Sequence, residues 1–373
     1  MTDPFDPAAI GPMRLRNRFV RSATWEGMAA DDGAAPPELI ELMRQLAVGE
    51  VGLIITGHAY VRPEGQAGPR QLGAHEDALV PGLQDMAAAV HEAGGKIALQ
   101  LAHAGCHAAV GLSGREAVAP SRRTGSNGGE ARPLDAREIR ELAADFAAAA
   151  RRAQSAGFDA VQIHAAHGYL LSQFLSPHYN RRTDEFGGSL ENRSRALLAV
   201  YRAVRREVGD HFPVLVKINS QDFVEGKGFS PEEMIAVSQM LSSEGIDAVE
   251  MSGGTVDSKP RLSPVRKGEI PTEADEGYYR EIGEKFKETV DVPLILVGGI
   301  RSLSAARQML AEEETDFIAM ARPLIREPHL IRRWKMGDER PSECQSDNLC
   351  FRPAVEGKGL HCVVAAREAE AEE

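Results

Sequence analysis

The chain has 373 residues, 43% of them hydrophobic and 26% charged, and its 55 acidic and 43 basic side chains leave a formal charge of −12. That balance disfavours a nucleic-acid or anionic-membrane surface and points to small-molecule partners. No run reaches the roughly 18 uninterrupted apolar residues of a membrane span, and the acidic opening Thr2-Asp3-Pro4-Phe5-Asp6 is unlike a signal peptide, so a cytoplasmic protein is expected, with a homo-oligomer allowed.

In chain order, Ala9 to Leu15 reads as a small hairpin at the bottom of the fold. Strand candidates follow at Phe19 to Ala23, Val51 to Thr56, Lys96 to Leu101, Asp159 to Ile163, Pro213 to Ile218, Asp247 to Met251, Pro293 to Val297 and Asp316 to Met320. Several are nearly continuous apolar runs, as buried parallel strands are. Between them lie amphipathic stretches at Glu38 to Ala47, Leu83 to Ala93, Glu138 to Ser155, Leu190 to Val208, Pro231 to Ser243, Gly277 to Thr289 and Leu303 to Ala311. Such alternation gives either a closed (β/α)8 barrel or a doubly wound open sheet. The length, the count of eight strands and the absence of a Gly-x-Gly-x-x-Gly turn after the first favour a (β/α)8 TIM barrel over residues 1–335.

Two irregular regions remain. Ala102 to Asp135 is too long for a simple connection and is a candidate lid. Residues 336–373 form a short C-terminal extension that holds Cys344, Cys350 and Cys362 and ends in an acidic tail expected to fray. Four cysteines in a chain of this size make no disulfide framework, and three crowded together point to a metal site or its remnant.

A barrel of this kind builds its active site at the carboxyl ends of its strands, and polar residues collect there. The first two strands end in Ser22-Ala23-Thr24-Trp25 and Thr56-Gly57-His58, the third in Gln100-Leu101-Ala102-His103. The fourth ends in His164-Ala165-Ala166-His167-Gly168-Tyr169, the fifth in Lys217-Ile218-Asn219, the sixth in Ser252-Gly253-Gly254. After the seventh and eighth, Gly298-Gly299 and Ala321-Arg322 suit a phosphate: glycines let backbone N–H groups approach, and the arginine adds charge.

The segment Val161-Gln162-Ile163-His164-Ala165-Ala166-His167-Gly168-Tyr169, continuing to Ser176-Pro177 and through Asn180 to Arg193, strongly resembles the old yellow enzyme family of FMN-dependent ene-reductases. Asn17-Arg18-Phe19-Val20, Gln100-Leu101-Ala102-His103-Ala104-Gly105 and Val297-Gly298-Gly299-Ile300 are similar to it too, and the likeness runs from about residue 4 into the cysteine tail. The nearest subgroup is the bacterial one containing 2,4-dienoyl-CoA reductase, here without the FAD- and NAD(P)-binding domains that its large members append. The resemblance implies FMN reduced by NAD(P)H, with hydride passed to the β-carbon of an activated alkene. It implies His164 and His167 as donors to the enolate oxygen and Tyr169 as proton donor. It also implies Lys217 beside flavin N1 and O2, Gln100 on the pyrimidine edge, Ser22, Ala23, Thr24 and Gly57 along the flavin, and Gly298, Gly299, Ala321 and Arg322 at its phosphate. Trp25, where some relatives carry a flavin-tuning cysteine, and His103 are expected in the substrate pocket.

Other readings stand beside these. Two histidines at this spacing ligate metal only with a third ligand, and none is adjacent. Asn180 to Arg193 reads as scaffold, with Ser189 capping the helix from Leu190. Relatives with a [4Fe–4S] cluster supply four cysteines in the extension; here Asp347 replaces the second, which leaves a cluster, a zinc site with His361 or Asp347, or an empty remnant. For the whole chain, a flavin-dependent amine dehydrogenase and a non-catalytic flavin-carrying subunit are the alternatives to an ene-reductase.

Overall fold

The computed structural model describes residues 2–268 and 270–372. Eight strands form one closed parallel ring: β1 (Phe19–Arg21), β2 (Leu53–Ile55), β3 (Ile97–Ala102), β4 (Ala160–Ala165), β5 (Val214–Asn219), β6 (Ala248–Ser252), β7 (Leu294–Val297) and β8 (Phe317–Met320). Each pairs with its neighbours in sequence, and β8 with β1 closes the ring.

Helices α1 (Pro37–Val48), α2 (Val80–Glu92), α3 (Ala136–Ser155), α4 (Leu190–Val208), α5 (Pro231–Ser243), α6 (Arg280–Lys287), α7 (Leu303–Ala311) and α8 (Leu330–Lys335) surround it. Local chemistry starts them. The Asp135 side chain accepts from the Glu138 backbone N–H while Glu138 accepts from that of Asp135, and Ser230 and Glu233 repeat this box before α5, with Pro231 in the first helical turn. Ser189 caps α4 by accepting from the Asn192 N–H at 3.3 Å. Apolar stripes such as Ile139, Leu142, Phe146 and Ala150 of α3 pack outside the sheet. Among the described residues no helix is long and apolar enough to cross a membrane.

The opening hairpin, Ala8–Ile10 with Met13–Leu15, closes the bottom. Its Ile10, Met13 and Leu15 cluster with the inward side chains Val20, Leu53, Ile55, Leu215, Ile295 and Phe317. Two expectations change. The 102–135 insert carries a small sheet of Ala117–Ala119, Arg123–Thr124 and Glu130–Pro133, and buries its alanines and Cys106 against Tyr179; none of its residues lines the cavity described below, so it is a packed subdomain and not a lid. The acidic tail is helical over Val363–Glu372, and Glu368 pairs with Arg326. The extension also meets the barrel where Arg301 donates to Cys344 O at 3.0 Å and Arg70 to Ala354 O at 2.8 Å.

Candidate active site

A cavity of about 480 Å³ opens at the carboxyl ends of the strands, a usual size for a small-ligand or cofactor site. Strand register builds its floor. Gln100 lies opposite Gln162, His164 opposite Lys217, Lys217 opposite Glu250, and Asn219 opposite Ser252; residues paired this way share a face, here the inner one.

The inner side chains form one chain of hydrogen bonds. Lys217 Nζ donates to Ser22 Oγ at 2.7 Å and to Glu250 Oε1 at 2.9 Å, and Ser22 Oγ donates to Glu250 Oε1 at 2.6 Å. Gln162 Nε2 donates to Glu250 Oε2 at 2.7 Å, and Gln100 Nε2 to Gln162 Oε1 at 2.7 Å. The side chains of Lys217 and Glu250 are 3% and 0% exposed. A charge that deep is tolerated only when paired and hydrogen-bonded, so Glu250 is what allows Lys217 to stand at the mouth. Gln100 uses its N–H on Gln162 and keeps its amide oxygen for a ligand donor.

Above this floor stand three imidazoles and a phenol. His167, in the left-handed region at φ +63°, is fixed by its backbone N–H to Asn219 Oδ1 at 3.0 Å and by Nε2 at 2.7 Å from Ser252 Oγ. The His164 ring lies 5.3 Å from that of His167, and its Nδ1 is buried with no partner. Burial first, then the neighbouring Lys217 and histidines, hold both imidazoles well below the ordinary histidine value, so each is neutral with one N–H at neutral pH. Burial pushes the Tyr169 phenol up, keeping it protonated, and its Oη lies 2.8 Å from His58 Nε2.

At the opposite wall Gly298 and Gly299 adopt φ of +149° and +75°, and a Cβ on Gly299 would come within 2.5 Å of the Tyr278 ring. Arg322 Nη1 donates to Arg266 O and Asn348 Oδ1, each at 2.7 Å, and Arg301 to Cys344 O and the Ser346 hydroxyl. These guanidinium groups bond neutral oxygens and line the cavity, leaving their charge available to an anion. A wall of glycines and guanidinium groups suited to a phosphate, facing a polar floor that carries Lys217 and Gln100, fits a flavin mononucleotide.

Ser22, Ala23, Thr24, Trp25, Gln100, His164, His167, Tyr169, Lys217, Gly298, Gly299, Ala321 and Arg322 converge here. Gly57 and His103 do not. The Gly57 N–H donates to Glu26 Oε1 at 2.8 Å, and a Cβ there would meet Glu26, so Gly57 faces a buried Arg21–Glu26 pair and not the cavity. His103 is buried beneath Gly65, with Nδ1 accepting from the Gly105 N–H and burial lowering its pKa to about 3. The sequence alone assigns no role to Gln162, Glu250 or Ser252. Their signal is a polar residue at every second position of an otherwise apolar strand: Gln162 and His164, Lys217 and Asn219, Glu250 and Ser252.

In the extension, no group of three or more His, Cys, Asp or Glu stands in metal-holding geometry among the described residues. Burial first, then the nearby Cys344, pushes the Cys350 thiol up to about 12, and the Asp347 carboxylate accepts from the Leu349 N–H in its own turn. Among the described residues these side chains therefore form no ligand set for a [4Fe–4S] cluster or a zinc ion, and no chemistry is assigned to Cys344, Cys350 and Cys362.

Residues 3–341 match the family model of the NADH:flavin oxidoreductase / NADH oxidase family. The chain belongs to that family. Its flavin oxidoreductases use FMN with NAD(P)H. An NADH oxidase from Thermoanaerobacter brockii is 36% identical over 366 residues, covering 96% of this chain and 55% of that protein. A 2-naphthoyl-CoA reductase solved with 2-naphthoyl-CoA superposes with a TM-score of 0.90 at 27% identity, covering 99% of this chain and 57% of the other. Histamine dehydrogenase from Rhizobium sp. 4-9 superposes with a TM-score of 0.84 at 28% identity, covering 96% and 51%. The chain thus spans about half the length of the curated relatives it first matches.

Proposed function

We propose that this flavin oxidoreductase reduces the activated C=C bond of an α,β-unsaturated carbonyl, thioester or nitro compound at the expense of NAD(P)H. FMN, when bound, supplies the hydride that reaches the β-carbon; Lys217 and Gln100 would hold its ring, and Gly298, Gly299, Ala321 and Arg322 its phosphate. The observation that carries the reading is geometric: at the cavity wall the His164 ring lies 5.3 Å from that of His167 and 4.9 Å from that of Tyr169, and burial favours the neutral imidazoles and the protonated phenol.

Charge favours alkene reduction over amine oxidation as the reading. Among the described residues the cavity lining holds Lys217, Arg301 and Arg322 and no carboxylate. With those cations taken up by the flavin and Glu250, a lining without a carboxylate offers an amine cation no counter-charge, while imidazole N–H groups suit an oxygen that becomes negative. N–H groups of His164 and His167 aimed at the activating oxygen bind an enolate more strongly than a neutral carbonyl, which lowers the barrier and not merely KM. Tyr169 completes the reduction by giving its proton to the α-carbon. Trp25 and the rim residues Val256 and Val265 offer an apolar face to the rest of the substrate.

Anaerobic stopped-flow on the FMN-loaded protein tests this. NAD(P)H should bleach the flavin and cyclohexenone should restore its colour. Tyr169→Phe should slow recolouring about 100-fold or more, the usual scale of a general acid, and affect bleaching far less. Bleaching by histamine or trimethylamine, with no recolouring by an enone, would favour amine oxidation and sink the proposal.

A further inference from the structure

His58 has no part in the scheme above, yet it contacts the group that matters most. Its Nε2 lies 2.8 Å from Tyr169 Oη, and the two rings are nearly parallel, 24° apart with centroids at 5.3 Å. The phenol oxygen has no other hydrogen bond among the described residues. The loop that carries His58 is held on both sides: the Gly57 N–H donates to Glu26 at 2.8 Å, and the His58 carbonyl accepts from Gln71 Nε2 at 2.9 Å. This fixation sets the ring over the phenol, with the His164 ring centroid 6.3 Å away and the Lys217 charge also facing it.

We infer that His58 is a positioning residue for proton delivery: it donates its Nε2–H to Tyr169 Oη, leaving the phenol O–H free to point at the substrate, and it holds the oxygen anion that remains after transfer. The inference rests on the reading of Tyr169 as proton donor. In the step itself the Tyr169 O–H bond breaks and a C–H bond forms at the α-carbon. The O–H electron pair stays on Oη, and solvent later restores the proton.

Two physical points make the partner necessary. Burial opposes an anionic phenolate, so Tyr169 alone is a poor acid in this site. A neutral imidazole, which burial and Lys217 enforce by lowering the His58 pKa to about 4, has one N–H and one lone pair. Only the tautomer with its proton on Nε2 stabilises the phenolate; the other would tie up the phenol proton. Loss of a hydrogen bond to a charged group should cost about 10- to 100-fold in rate.

The test uses FMN-loaded wild type, His58→Leu, His58→Gln and Tyr169→Phe, each checked for retained flavin absorbance. His58→Leu should slow flavin reoxidation by cyclohexenone about 10- to 100-fold and enlarge its solvent deuterium isotope effect, with reduction by NAD(P)H affected far less. His58→Gln, which keeps an N–H donor, should recover most of the rate. If His58→Leu reoxidises at the wild-type rate while Tyr169→Phe is slow, Tyr169 needs no partner and the inference falls alone. If both half-reactions drop together and Gln does not rescue, His58 is only structural. If Tyr169→Phe is itself unimpaired, the proton-donor reading fails and takes this one with it.

Discussion

The lower and upper halves of the barrel interior are built from the same strands on the same face, yet they share no chemistry. Below, Val20, Ala98, Ala160, Leu215 and Ala248 join the hairpin's Ile10, Met13 and Leu15 in a buried apolar cluster. Two residues further along each strand stand Ser22, Gln100, Gln162, Lys217 and Glu250, the hydrogen-bonded floor of the cavity. One step of the strand period separates a packed plug from a reactive surface. The difference implies that stability resides below, and that the mouth carries polar groups that folding alone would not select.

Acid should separate the halves most strongly. His58, His103, His164 and His167 all have pKa values lowered by burial, to about 4 for His58 and about 3 for His103. Above about pH 6.5 these groups are neutral in both folded and unfolded chains; below it the unfolded chain takes up protons that the folded one refuses. Stability therefore falls as pH drops from about 6.5 toward 4, by about 2 kcal/mol for His58 alone between pH 7 and 5. Urea midpoints across that range check it, and a flat profile would mean these imidazoles are solvated.

Next comes the buried pair. Glu250→Leu leaves Lys217 enclosed without its counter-charge and should cost about 3–5 kcal/mol, whereas adding Lys217→Met should recover much of that loss without restoring flavin affinity. Equal stability of the single and double variants would show that water reaches Lys217. In the lower half, Leu215→Ala should cost about 3 kcal/mol through the cavity it leaves, with the flavin spectrum unchanged.

How much of this was legible in the sequence follows the same division. Leu190 to Val208 and Pro231 to Ser243 match the observed helices to the residue, because caps and apolar stripes are local signals. The plug was legible in outline, since Ala9 to Leu15 reads as a short hairpin. Glu250 was visible as a charge in an apolar strand, but its partner lies 33 residues earlier in β5, and only the register reveals it. The insert's sheet escaped for a related reason: Ala117–Ala119 pairs in parallel with Glu130–Pro133, and strands of three or four residues are held by tertiary context. Ser346 and Phe351 reach the cavity through the bonds that Arg301 and Arg322 make to the extension, a long-range arrangement without a local pattern.

The smallest effect should come from the rim, where two exposed side chains offer a matched comparison. Val256 is 47% exposed and Leu112 50% exposed, so truncating either should leave stability within about 0.5 kcal/mol. Of the two, only Val256 lines the cavity. A substrate covering it would bury roughly one or two methyl groups, at about 0.8 kcal/mol per buried carbon. Val256→Ser should then raise the KM for an apolar enone severalfold at constant kcat, because an interaction made equally in the ground and transition states is uniform binding. Leu112→Ser, on the packed insert, should change neither constant. A parallel effect of the two substitutions would mean that the insert bends over the mouth during turnover, and the boundary between scaffold and site would have to move.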